Sequence, residues 1–453
     1  MNHRRGLLRV VVAVGAMALM AAAGCAQGGG STASKNEVSY WLWDSNQLPI
    51  YEKCAIAFEK EHPGVDVQIS QIGWEFYWNK LTASFIAGTQ PDVFTSTPPK
   101  HAQFLSLDLL EPLDEFEETS GIENSDYQPG LAATWIGEDG HRYAAPKDWD
   151  TVALFYNKEM AREAGLSEEK LNTLTWNPRD GGTFEKAIAR LTVDKNGVRG
   201  DEPGFDKDNV RTYGLATADA GGMDGHVQWS PFALANGWYY TDETSQEVRY
   251  NYDDRRFQET IDWYFGLAEK GYLPRFEHFS PANGPEVQVG SGKAATALNG
   301  AWMIRTFHNL KGRDIGSVPT PVGPTGKRAT LMNGLGDSLT KKGGKKKAAR
   351  QWVAHLASDA CQRVAGEAGI IFPATAAGTR LAISAYEKEG IDVTAFTKPL
   401  RDRSTFGFPV TDFSADVSAM MFPAMQDIYA NGKPVSGLDR TNDQINLLFE
   451  QGG

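Results

Sequence analysis

The sequence predicts an α/β fold built on a parallel sheet. From Val38 onward, short β-branched and aromatic runs alternate with runs of helical spacing, three strands and two helices in close succession. The composition, 41% hydrophobic and 23% charged, is that of an ordinary globular chain, and 453 residues suffice for two or three domains. No internal repeat interrupts the alternation.

Val38 to Trp43 is a short aromatic and β-branched run that reads as the first strand. Leu48 to Lys60 carries Tyr51, Cys54, Ala55 and Phe58 at helical spacing, and His62-Pro63-Gly64 stops it. Val65 to Ile72 alternates as the second strand, Trp78 to Ala87 reads as the second helix, and Asp92-Val93-Phe94 opens a third strand. This βαβαβ beginning requires parallel pairing, because each strand returns through a helix. Further on, Thr151 to Tyr156, Gly214 to Thr217 and Ala294 to Leu298 read as strands, Thr183 to Leu191 as a helix, and Lys345 to Ala368 as one long helix. The segment from Asp194 to Val210 is rich in Asp, Gly and Lys; an EF-hand would need Gly where Arg199 stands, so a solvated loop is expected.

The N-terminus carries an address. Arg4 and Arg5 precede an apolar run from Val10 to Ala23, shorter than the roughly 20 residues that span a bilayer, so residues 1–24 read as a secretory signal peptide. Ala22-Ala23-Gly24-Cys25 resembles the bacterial lipobox, which makes Cys25 the expected lipid attachment site. Small uncharged residues follow, so residues 25–37 read as a flexible tether holding the chain on the extracytoplasmic face of the cell membrane.

Charge narrows the partners. Removing residues 1–24 takes away three Arg and moves the formal charge from -12 to -15, which argues against nucleic acid and leaves membrane attachment to the lipid. Cys54 and Cys361 fall at apolar positions of predicted helices, where either two buried thiols or a disulfide is compatible with the pattern. No Cys-x-x-Cys or His/Cys cluster has metal-site spacing, and no cofactor is expected. Twelve Trp residues, many near predicted strand ends, offer flat apolar faces.

Ala57 to Val67, Tyr77 to Leu81 and Ala87 to Phe94 resemble, in order and spacing, the N-terminal lobe of family 1 extracellular sugar-binding proteins. The resemblance continues through Tyr143 to Asp150, Leu154 to Lys158, Ala164 to Leu166, Gly292 to Ala295 with Leu298 to Trp302, Gly326 to Arg328 with Asn333 to Gly336, Ala349 to Ser358 and Gly369 to Ala374. It implies a two-lobed, periplasmic-binding-protein-like fold with crossing hinge segments and a ligand cleft between the lobes. Lobe I would comprise residues 38–148 and 335–372, and lobe II residues 149–334 and 373–453. It further implies a carbohydrate ligand, an oligosaccharide first of all, and ABC permease subunits as membrane partners.

A sugar presents hydroxyls around its rim and C–H groups on its faces, so its site needs carboxylates or amides together with aromatic rings. The turn after the first strand offers Trp43, Asp44, Ser45 and Gln47, with a helix N-cap as the structural alternative for Asp44. Asp148 and Asp150 lie on one face of the first crossing, where pairing with a buried Arg is the alternative. Trp302 follows a turn that holds a stacking aromatic in the maltodextrin-binding relatives; core packing is its alternative. Trp74, Thr97, Trp229, Gly334 and Asp337 complete the expected carbohydrate-binding set, although Pro98-Pro99 departs from the relatives' pattern, and Trp229 and nearby His226 also suit a core. Two rival readings remain: the same fold taking a polyamine, and a glycosidase using Asp148 and Asp150. Carboxylates two apart on one strand rarely face each other across a sugar, which disfavours the second.

Overall fold

The computed structural model describes residues 36–137, 139–242, 248–278, 280 and 282–452. Cys25, the signal segment and most of the tether lie outside the described residues.

The chain opens with β1 (Glu37–Leu42), α1 (Leu48–Glu61), β2 (Asp66–Gln71), α2 (Trp74–Ala87), β3 (Val93–Ser96) and α3 (Pro98–Ser106). β1 pairs in parallel with both β2 and β3, as the alternation predicted. α2 begins at Trp74, four residues before the expected start, because Gly73 occupies the extended N-cap position. Next come β4 (Ala144–Asn157), α4 (Lys158–Glu163), α5 (Glu168–Asn172), α6 (Gly182–Leu191), β5 (Val193–Asp194) and β6 (Val210–Leu215). α7 (Ser230–Ala235), α8 (Arg255–Glu269), α9 (Pro285–Gly290), β7 (Ala294–Gly300), α10 (Ile304–His308), β8 (Ile315–Val318) and β9 (Thr330–Leu339) follow. The chain ends with α11 (Lys347–Ala357), α12 (Asp359–Ala368), β10 (Phe372–Pro373), α13 (Ala376–Lys388), α14 (Thr394–Arg401), β11 (Thr405–Phe406), α15 (Ser414–Asn431) and α16 (Gly437–Gly452). The single helix expected over 345–368 is two, because extended Ser358 caps α12 with its hydroxyl.

The strands follow the order β2-β1-β3-β9-β4-β7-β6-β5. β4 is the long crossing element. Ala144 to Thr151 pair with β9, while Val152 to Tyr156 pair with β7 and Leu154 to Asn157 with β8. The sheet is therefore mixed around β4 and β9, which run antiparallel to each other and to β7 and β3 respectively. One apolar core packs Val38, Tyr40, Phe58 and Trp352 around the first strands; another packs Trp176, Trp229, Trp238 and Phe257 near β6 and α8. Cys54 and Cys361, both buried, form a disulfide between α1 and α12 across a separation of 307 residues. The Asp194–Val210 segment is organised by Asp194, whose carboxylate accepts the N–H groups of Asn196, Val198 and Asp206.

Candidate functional site

Every residue of β4 is buried, and its register against β9 slips between Pro146 and Asp148. Lys147 is thus the bulged residue, and such a bulge re-aims the side chains around it. Its Nζ donates to Tyr40 Oη at 2.9 Å and Thr95 Oγ1 at 2.8 Å, and lies 3.8 Å from Asp337 Oδ1. Both hydroxyls in turn donate to Asp337 Oδ1 at 2.8 Å. The ammonium also sits 3.9 Å from the Tyr51 ring centroid. Burial pulls the Lys147 pKa down, and Asp337 pushes it back. The bulge therefore ties both crossing strands to β1 and β3 through one buried ion pair, whose partners are bridged by the Tyr40 and Thr95 hydroxyls.

Beyond the bulge, Asp148 accepts the Leu335 N–H at 3.0 Å and the Gln47 side-chain amide at 3.4 Å. Burial raises Asp148 to about 7 against the opposing pull of Lys147. Asp150 Oδ2 accepts from the Asn333 amide at 3.0 Å. Its Oδ1 has no hydrogen-bond partner and lies 3.7 Å from His226 Nε2, which also has none. Burial, then the Asp148 charge, pushes Asp150 well above the usual carboxylate range, and burial lowers His226 to about 3. His226 is thus an uncharged imidazole at pH 7, and its approach to Asp150 is not an ion pair. Among the described residues, neither Asp148 nor Asp150 pairs with an Arg.

Rings close the other side. The Trp302 ring lies 5.1 Å from that of His226, and the Phe408 ring stands nearly perpendicular to His226 at 4.9 Å. Trp302 is seated over Gly300, where an added Cβ would fall 1.7 Å from the indole. After β1, Trp43 packs with Trp74, Tyr77 and Trp78 at 5.3, 5.1 and 5.5 Å, and Trp74 stays 52% exposed. Asp44 does not cap α1. Its carboxylate accepts the Asn46 N–H at 2.8 Å, and burial raises its pKa. Ser45 is exposed, and half-buried Thr97 precedes α3 without a side-chain cap bond.

The sequence pattern described as bacterial extracellular solute-binding protein matches residues 45–363, about 70% of the chain. The chain belongs to this family. A Brucella abortus binding protein is 28% identical over 127 residues, 27% of this chain and 29% of that protein. The maltotriose-binding protein of Pyrococcus abyssi is 24% identical over 283 residues, 61% of this chain and 51% of that protein. The matches thus span from under a third to about half of these relatives' length. The structure resembles the ABC substrate-binding protein Lmo0181 of Listeria monocytogenes, solved with cycloalternan, at a TM-score of 0.75 and 18% identity over 91% of this chain and 98% of that one. The fold is accordingly α/β and two-lobed, with crossing segments between the lobes.

In this solute-binding protein, three expected contacts have other roles. Trp229 is fully buried among Trp238, Tyr240 and Phe257, and donates to the Ala220 carbonyl at 3.2 Å. The backbone of Gly221 and Gly225 is folded directly onto its indole, so it is core. Gly334 faces Leu131 and the Asp148 carbonyl; a Cβ there would meet them at 2.3 and 2.9 Å, so the missing side chain admits protein and not ligand. Asp337, 1% exposed, belongs to the Lys147 network. Sequence reasoning in turn missed Asn333 and Phe408 and left His226 beside Trp229. Asn333 stood within the resemblance next to Gly334, whereas nothing marked Phe408, which arrives from beyond β11. A cavity of about 440 Å³ between α8 and α15 shares no residue with this group. Among the described residues, no helix is long and apolar enough to cross a membrane, and no cluster of His, Cys, Asp or Glu is placed to hold a metal.

Proposed function

We propose that this solute-binding protein holds a carbohydrate, an oligosaccharide first of all, between its lobes and delivers it to ABC permease subunits in the membrane. The observation that carries the reading is the meeting of two kinds of contact. Asp150 offers an unpaired carboxylate oxygen beside Asp148 and Gln47, and Trp302, His226 and Phe408 offer ring surfaces next to it. Hydroxyls on a sugar rim need the first, and C–H faces need the second. The maltotriose and cycloalternan relatives support the ligand class. Trp43, Asp44, Ser45, Trp74 and Thr97 form the opposing wall in this reading. Lobe I then spans 38–148 and 335–372, and lobe II spans 149–334 and 373–453. Residues 1–24 direct export, Cys25 carries the lipid, and residues 25–37 form the tether. The protein performs no reaction on its ligand.

Calorimetric titration with neutral oligosaccharides and with polyamines, followed by chromatography of the ligand, tests the reading. Sugar binding without product is the expected result; polyamine binding alone, or sugar cleavage, refutes it. Cys25→Ser should release the protein from the membrane fraction, and retention there refutes the anchor.

A further inference from the structure

We propose that the end of the sheet where β1 begins rests on an anionic bilayer surface, with the binding loops turned away from the membrane. The inference rests on the Cys25 anchor proposed above and adds a contact surface to it. Lys346 Nζ donates to the carbonyl of Glu37, the first residue of β1, at 3.0 Å. Eleven residues, Cys25 to Lys35, precede the described chain, and a run of that length reaches no further than about 40 Å even when fully extended. The surface around Glu37 is therefore kept close to the lipid.

Two kinds of side chain meet at this end. The first is apolar: Ile86, in the last turn of α2, is 85% exposed, and Leu107, just past α3, is 58% exposed. Phe85 and Phe104 join the two helices, with ring centroids 5.3 Å apart. The second kind is cationic and comes from the segment after β9. Lys342 Nζ donates to the Gln90 carbonyl at 2.7 Å, four residues past Ile86. The Lys341 N–H donates to the Leu109 carbonyl at 3.1 Å, and its side chain pairs with Asp108 beside Leu107. Asp92 is taken by Lys346 and Glu118 by Arg350. Among the described residues Lys342, Lys345 and Lys347 form no ion pair, which leaves them facing Glu37 and Glu111 with cations in excess.

Exposed Ile and Leu beside lysines make an interfacial contact, in which apolar side chains enter among lipid headgroups and ammonium groups meet phosphates. The chain as a whole is acidic, so the same bilayer repels its other faces and selects this one. β1 is six residues long, about 20 Å, and Trp43 and Asp44 follow its far end. Resting on this surface turns the proposed site outward, toward arriving solute.

The lipidated protein, inserted into phosphatidylcholine vesicles with and without phosphatidylglycerol, tests this. Acetylation by a membrane-impermeant amine reagent, followed by peptide mass spectrometry, reads the exposure of each lysine. Lys342, Lys345 and Lys347 should react about three-fold more slowly or less in the anionic vesicles, whereas Lys207 and Lys433, exposed on other elements, should react equally in both. Lys345→Glu with Lys347→Glu, or Ile86→Asn with Leu107→Asn, should return Lys342 to its rate in neutral vesicles and leave sugar affinity unchanged. Equal rates in both vesicles, slowing shared by Lys207 and Lys433, or protection that survives both double variants overturns the inference and leaves the anchor standing. A protein that floats with neither vesicle overturns the anchor and this orientation together.

Discussion

Gly300→Ala places one methyl group under the indole of Trp302. The backbone at Gly300, φ -85° and ψ 167°, is open to any L-residue, so the alanine brings no strain of its own. Its Cβ would fall 1.7 Å from Cζ3, 2.1 Å from Cε3 and 2.2 Å from Cη2 of Trp302, far inside the roughly 3.5 Å at which carbons touch. The ring must leave its seat, and because Trp302 is half-buried it can do so without opening a core. Losing an ordered ring contact costs about 0.5–1.5 kcal/mol, or up to about ten-fold in ligand affinity. Trp302→Ala removes the ring altogether and should cost about 2 kcal/mol, roughly 30-fold. The assay is calorimetric affinity for the best sugar of the screen, beside the ligand-free thermal midpoint of each variant. Weakened binding at an unchanged midpoint is expected. Unchanged affinity in Gly300→Ala, or a midpoint that falls in step with binding, would place Trp302 in the core and refute the site.

Three further outcomes are expected. Replacing Cys54 and Cys361 with Ala should cost about 2–4 kcal/mol of stability and lower the thermal midpoint by several degrees, since a disulfide restricts the unfolded chain; an unshifted midpoint contradicts this. His101 is 1% exposed with both ring nitrogens unpartnered, and burial lowers its pKa from 6.5 to about 3. The unfolded chain therefore binds a proton that the folded chain refuses, so His101 costs stability increasingly as pH falls below 6.5. His101→Leu should raise the urea midpoint, with a gain over the parent that grows by up to about 1.4 kcal/mol per pH unit toward pH 5; a pH-independent difference refutes the account. Small-angle scattering should show a smaller radius of gyration with bound sugar, because α3 and α15 pack together here and would separate in an open form; an unchanged radius at saturation counts against hinge closure.

The strands and helices up to β3 were legible because each carries its own period and its own stop signal. The disulfide was not, since two apolar-face cysteines 307 residues apart say nothing about whether α1 and α12 touch. At the site, the pair Asp148 and Asp150 could be read from strand alternation. Their consequence depended on a bulge at Lys147 that no local signal marks, and it was the bulge that drew Asp337 into a buried ion pair. Trp229 and Trp302 look alike in sequence, each beside Gly residues; in one case the glycines cover the ring and in the other a glycine seats it at the surface. Only the folded loops distinguish the two. Phe408 and the four helices after β10 went unread because the resemblance faded there and α14 and α15 carry Pro399 and Pro423 inside them, which argues locally against a helix.

The bond between Cys54 and Cys361 also closes residues 54–361 into a covalent ring from which both chain ends hang as tails. A single backbone cut in that ring, for instance at the exposed pair Lys207 and Asp208, opens it without releasing a fragment. A protein nicked there would run as one species until reduced, with Gln47 on the first piece and Phe408 on the second still joined. For a molecule of an extracellular family, exposed to proteases, the cross-link turns a loop cleavage from a loss of half the proposed site into a change of connectivity.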